Sequence, residues 1–467
     1  MRLLTVLMAI ALLAAACTGT PATEAGPEQN DASEIAGPSA GRAVISPDGG
    51  EPAPLSTDDD SDADVVVTEA AVADDEDSEA AEVGVTGDAA SENSSEAESS
   101  AAPIDESATT TAETAPEPEA TVEEVIDELV AFVEAERGIS FSSPPDVQVL
   151  DSGAFRQAWI QLIESDLANN ESSYDEQTQL YQALGILAPT DTLRDVRLRF
   201  VDAGVIAFYD VGTENIVLQS GPITAFTQLV LVHELVHALE DQAFGLDRDS
   251  EHRGRDDEVA WTFSAIIEGS ARTIEDRYRD TLSTAELDEA AAASAAISSP
   301  LSVSDLSTSF LELEFGRYRH GQAFTEAIWN AGGQSLLDAV LVTPPPLSEA
   351  VLEPDLIAGG VDAAPALSEP PADGAVVRSG VFGAAGFASL LADTLGVDEA
   401  VTVAEGWAAD QYVVWADGDA VCVRIHLEAE DPTSLDEFAD ALSEWALDGD
   451  REIFYPTADL IRVTSCS

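Results

Sequence analysis

The stretch from Thr18 to Ala120 constrains this chain most, because its composition argues against any fold at all. It consists mainly of Ala, Glu, Asp, Ser, Thr, Pro and Gly with no sustained apolar period, as in Ser91-Glu92-Asn93-Ser94-Ser95-Glu96. Such a sequence buries too little apolar surface to offset the entropy of ordering it, so disorder is expected. A flexible coil of about 100 residues reaches roughly 50 to 60 Å, and repulsion between its acids extends it further. Residues 17–120 therefore read as a disordered acidic tether, and the folded region must be made by 121–467.

Ahead of the tether, Arg2 is followed by an apolar run from Leu3 to Ala16 that is too short to span a membrane and ends in small residues. Residues 1–16 read as an export signal. The run Leu12-Leu13-Ala14-Ala15-Ala16-Cys17 resembles a bacterial lipobox, with Cys17 as the lipidated first residue of the mature protein. The Leu usual three places before the cysteine is Ala14 here. Lipid anchoring to the outer face of a bacterial cell membrane is expected, with plain secretion as the alternative, since Ala14-Ala15-Ala16 also suits an ordinary signal peptidase. Cys422 and Cys466 are an even pair in an exported chain and are expected to form a disulfide. Closing that loop would constrain the unfolded chain by about 4 kcal/mol.

Charge excludes some functions. The chain has 90 acidic residues against 19 basic ones, every one of them arginine, for a net charge of −71. Such a surface repels phosphate backbones and anionic headgroups, so no nucleic-acid partner is expected and membrane contact is expected through the lipid anchor only. The aspartates around Asp58 to Asp64 lack the Gly and terminal Glu of a calcium loop.

In the folded region, Val122, Val125, Ile126, Leu129, Val130 and Val133 keep helical spacing, and Pro144-Pro145 introduces a short strand from Val147 to Leu150. Val205 to Tyr209 and Asn215 to Leu218 read as a hairpin. Pro222 is expected to open a helix that ends near Phe244, with Gly245 as its stop. Further helices are predicted from Asp257 to Tyr278, Phe324 to Val340 and Leu435 to Trp445, with a late strand from Val421 to Leu427. No internal repeat is present, and the mixture indicates an α+β fold.

The chemistry lies in Leu231-Val232-His233-Glu234-Leu235-Val236-His237-Ala238-Leu239. Two histidines four apart on a helix place both imidazoles on one face, one turn apart, where two nitrogens can reach a single tetrahedral ion such as zinc. Glu234, beside the first of them, can take a proton from an attacking water and pass it to a leaving amine. The pattern arises by accident in about one in a hundred such chains or fewer.

A catalytic zinc needs a third protein ligand and an open fourth position. A metzincin continuation would need Gly at 240 and His at 243, where the chain has Glu240 and Ala243. His252 sits in what reads as a polar loop. Glu268 follows Ala265-Ile266-Ile267 within a predicted helix whose small neighbours allow close approach, although an ion pair to Arg272 would also account for it. Glu275, seven residues on, lies among Arg272, Asp276, Arg277 and Arg279 and reads as a solvated helix end.

The run from His233 to Gln242, followed by Glu268-Gly269-Ser270-Ala271, resembles the gluzincin-type zinc metallopeptidases, in particular bacterial lipoproteins with HELxHALxDQ and EGxA motifs. The similarity extends through Tyr318-Arg319-His320-Gly321-Gln322-Ala323-Phe324 to Gly406-Trp407 and Asp410-Gln411-Tyr412. In those relatives the last motif often reads GWxGDRY, and here Ala409 and Gln411 replace its Gly and Arg. The resemblance implies a zincin-like domain over 121–467, with His233, His237 and Glu268 as zinc ligands and Glu234 as general base. It implies an exported peptidase acting on peptide or protein substrates, laid along the hairpin's edge strand. Tyr318 is the first choice to stabilise the oxyanion, with His320 and Tyr278 behind it. The alternative is a catalytically silent cell-surface binding or assembly module on the same fold.

Overall fold

The computed structural model describes residues 121–201, 205–248, 257–298, 306–359, 364–418, 420–447 and 449–467. The expected signal, Cys17, the tether and His252 lie outside the described residues. Among those described, no helix is long and apolar enough to cross a membrane.

The chain opens with helix α1 (Val122–Arg137), started by a reciprocal capping box between Thr121 and Glu124 and ended by Gly138 in the left-handed region. Strand β1 (Asp146–Leu150) leads into helices α2 (Ser152–Leu184) and α3 (Leu193–Val201), then the hairpin β2 (Ala207–Asp210) and β3 (Asn215–Gln219). These strands form a three-stranded sheet in the order β1-β3-β2, with β1 parallel and β2 antiparallel to β3. Period-two alternation splits the sheet's side chains between two cores. Phe208 and Val217 face α2, where Phe208 meets Phe155 and Trp159, while Tyr209, Ile216 and Leu218 join the opposite core.

That second core is organised by α4 (Ala225–Phe244), buried along nearly its whole length. It starts three residues later than Pro222 would place it, because the Thr224 side chain accepts the Thr227 amide and so takes the N-cap position. Gly245 closes it as expected. Helix α5 (Asp257–Arg279) packs on it, followed by α6 (Thr284–Ser298) and the long α7 (Thr308–Val342), which bends at Gly333. The helix expected over 324–340 is the second half of α7. Helices α5 and α7 cross in backbone contact: a Cβ on Gly269 would lie 2.0 Å from the Gly321 oxygen, and one on Gly321 would lie 1.8 Å from the Ala265 oxygen. No side chain fits at either position, which accounts physically for the Gly of Glu268-Gly269 and of His320-Gly321.

After the short α8 (Glu349–Leu352) comes a second sheet of β4 (Ala375–Gly380), β5 (Trp407–Asp417), β6 (Ala420–Ala429), β7 (Asp450–Thr457) and β8 (Leu460–Cys466). Its order is β4-β5-β6-β8-β7, with every neighbouring pair antiparallel. Helices α9 (Gly383–Leu395), α10 (Val397–Ala404) and α11 (Pro432–Trp445) build its core together with α2. Cys422 and Cys466 face each other on β6 and β8 and are joined by a disulfide. The domain is a mixed α+β fold with a helix-rich core.

Candidate metal centre

Helix α4 places His233, Glu234 and His237 in the core, all at most 1% exposed, and α5 brings Glu268 to them from the facing side. One ligand atom from each of His233, His237 and Glu268 lies within 4.8 Å of the others. His233 Nε2 stands 3.2 Å from Glu268 Oε2, and His237 Nε2 stands 3.5 Å from the same oxygen. The Glu268–Arg272 ion pair that the sequence left open is not made; Arg272 turns instead to Glu275, at 2.9 Å.

Charge in this pocket is arranged to favour a cation. Burial alone would lower His233, but hydrogen bonds to the Glu268 and Glu275 carboxylates outweigh it and raise the imidazole to about 10. Burial opposes ionisation of Glu268 too, yet the two histidines hold it at about 2. His237 is shifted down, chiefly by burial. Both ring nitrogens of His237 and Oε1 of Glu234 are buried without a hydrogen-bond partner. Orphaned polar atoms in a closed core cost free energy unless something else binds them. Two imidazoles and one carboxylate converging on one point form a donor set that suits zinc with an open position. The residues therefore fit the metal that the sequence pattern calls for.

Glu234 is placed for different work. Its Oε2 accepts the Tyr209 amide of β2 at 2.8 Å, leaving Oε1 open. Burial pushes its carboxyl up to about 8, with Glu268 adding to the rise and His233 and the Tyr209 amide opposing it. The same Tyr209 donates its hydroxyl to Asp241 at 2.7 Å, so β2 is pinned to α4 at two points. Gln242 accepts from Ser142 and Ser143, which ties the chain after α1 to the end of α4. The Asp-Gln of the motif is thus structural.

Tyr318 on α7 is near the cluster. Its ring lies parallel to that of His233, with centroids 6.4 Å apart, and its buried hydroxyl hydrogen-bonds to Glu268. Burial and that carboxylate push the phenol well above its usual range, so it stays a neutral donor. His320 is engaged elsewhere, 2.8 Å from Glu312, and Tyr278 donates to Gln228 at 2.6 Å.

Glu275 corrects the sequence reading. It is not a solvated helix end but is 5% exposed, with Oε2 3.3 Å from Nδ1 of His233. Burial would raise its carboxyl, but Arg272 and His233 hold it at about 2. The clue was the placement of Arg272 and Arg279 at i−3 and i+4, which can serve one buried carboxylate as readily as a solvated surface.

The final motif supports the site from a distance. Asp410 accepts the Phe382 and Gly383 amides and the Trp407 indole. Tyr412 donates to Asp257 at the start of α5, and Arg378 bonds to both. Gln411 donates to the Gly380 carbonyl and so serves the β4–β5 pairing.

No family model, curated protein or solved structure matches this chain. The functional reading therefore rests on the site itself.

Proposed function

We propose that this protein is an exported zinc-dependent peptidase of the gluzincin type, anchored through Cys17 to the outer face of a bacterial membrane. The observation that carries the proposal is the convergence of His233, His237 and Glu268 in a buried pocket beside a carboxylate with one open oxygen. His233, His237 and Glu268 are the residues that would hold the metal. When bound there, zinc supplies a Lewis acid that polarises the scissile carbonyl and acidifies water.

The remaining steps belong to the chain. Oε1 of Glu234 receives the proton of the attacking water and returns it to the leaving amine, while the Tyr209 amide keeps the carboxylate pointed into the pocket. Its raised affinity for a proton suits an exchange near neutral pH. Tyr318, kept neutral, donates its hydroxyl to the developing oxyanion. Strand β2 ends its sheet and touches the base directly, so an extended peptide added along it would lie across the pocket.

The test is cleavage of a mixed peptide library by the full chain loaded with zinc. Glu234→Gln should keep the metal and lose cleavage by about 100-fold or more. Unchanged cleavage in that variant would remove Glu234 from the reaction. Zinc binding without any cleavage by the parent would make the protein a binding module instead.

A further inference from the structure

The two carboxylates on α5 grip one imidazole from opposite sides. Glu268 and Glu275 are seven residues apart, two helical turns, and so lie on one face of α5. Glu268 Oε2 meets Nε2 of His233 at 3.2 Å, and Glu275 Oε2 meets Nδ1 at 3.3 Å. Arg272 reaches both oxygens of Glu275, at 3.0 and 2.9 Å, and Arg279 reaches Oε1 at 3.0 Å. Oε1 thereby accepts from both guanidinium groups, while Oε2 accepts from Arg272 alone and faces the histidine.

We infer that Glu275, clamped by Arg272 and Arg279, is a positioning residue that fixes the proton of His233 on Nδ1 and leaves Nε2 bare for the metal. A neutral imidazole carries one proton, and only its bare nitrogen can ligate. An acceptor beside Nδ1 selects the tautomer, sets the ring's orientation and raises the basicity of Nε2. The arginines make that acceptor dependable. Hydrogen bonds from Arg272 to both oxygens and from Arg279 to Oε1 hold the carboxylate in one orientation.

The pocket contains its own contrast. Glu275 lies 3.3 Å from Nδ1 of His233, whereas among the described residues the one carboxylate paired with His237 is Glu268, on Nε2, so a backing carboxylate stands behind one histidine and not the other. His233 becomes the oriented anchor of the pair, and loss of Glu275 should be felt in metal retention even though Glu275 touches no metal.

The inference rests on the zinc reading, and the experiment separates the two. Zinc retention by the full chain is measured against a competing chelator for the parent, Glu268→Ala, Glu275→Gln and Glu275→Ala. Glu275→Ala is expected to weaken zinc by about 10- to 100-fold. Glu275→Gln, whose amide oxygen can still accept, should recover part of that loss. Nitrogen-15 spectra of the zinc-loaded parent, which need no variant to fold, should show the His233 ring proton on Nδ1 in a hydrogen bond. A proton on Nε2, or a folded Glu275→Ala that holds zinc within twofold of the parent, would overturn the positioning role alone. A parent that binds no zinc would overturn the zinc reading instead.

Discussion

Two buried carboxylates, Asp410 in the β-rich C-terminal region and Glu234 in the helical core, sit in similar depth and do opposite things. Asp410 is surrounded by donors: two backbone amides and an indole fill its oxygens at 2.8 to 3.1 Å. Glu234 receives one amide and keeps an open oxygen, and burial pushes it up to about 8. A satisfied buried carboxylate joins elements, here β5 to the start of α9. An unsatisfied one costs stability and persists where chemistry uses it. The contrast separates the carboxylates that build the fold from those that are placed to act.

The sharpest way to break this comparison is Asp410→Ala. It strands three donors, each costing about 1 to 3 kcal/mol, so the loss of stability in a denaturant titration should be about 3 kcal/mol or more. The fraction that stays folded should bind zinc as the parent does. If zinc were lost from folded Asp410→Ala protein, the division between structural and active carboxylates would fail.

A smaller effect tests a third setting. Glu349 is raised to about 7, first by burial and then by Glu430 and Glu353. A carboxyl whose folded pKa lies above its unfolded value binds protons more tightly when folded, so stability falls as pH rises from about 4.5 to 7. Glu349→Gln should therefore raise the melting temperature at pH 8 by about 1 to 2 °C. At pH 4 it should change nothing. An equal gain at both values would show that charge is not the cause.

The His-Glu-x-x-His helix was legible because its residue types, spacing and apolar surroundings all agree at short range. Glu268 was legible for the same reason, through Ile266, Ile267 and small neighbours. Glu275 was not, since its sequence neighbours are charged and its burial depends on how α5 docks against α4. The hairpin β2–β3 showed as two strand-like runs around a Gly-containing turn, but most of the second sheet did not. Its strand β7 alternates between exposed and half-buried positions at first, but the inward place at 451 is an arginine and the one at 456 a proline, so its sequence carries no apolar alternation. Helix α9 gave no period because Gly-Ala-Ala-Gly-Phe-Ala-Ser-Leu-Leu is apolar or small on every face and is buried throughout. Helix α2 is 33 residues long, with polar residues spread around it, and its buried apolar side chains at both ends join the same core, a long-range packing that no local signal announces.

The central claim is that His233, His237 and Glu268 form one metal site, and metal content by mass spectrometry of the folded full chain tests it most directly. After equilibration with zinc and removal of excess by a mild chelator, the parent should retain one zinc per chain. His237→Ala and Glu268→Ala, checked as folded by circular dichroism, should retain almost none. A folded parent that keeps no zinc, or a Glu268→Ala variant that keeps as much as the parent, would contradict the account.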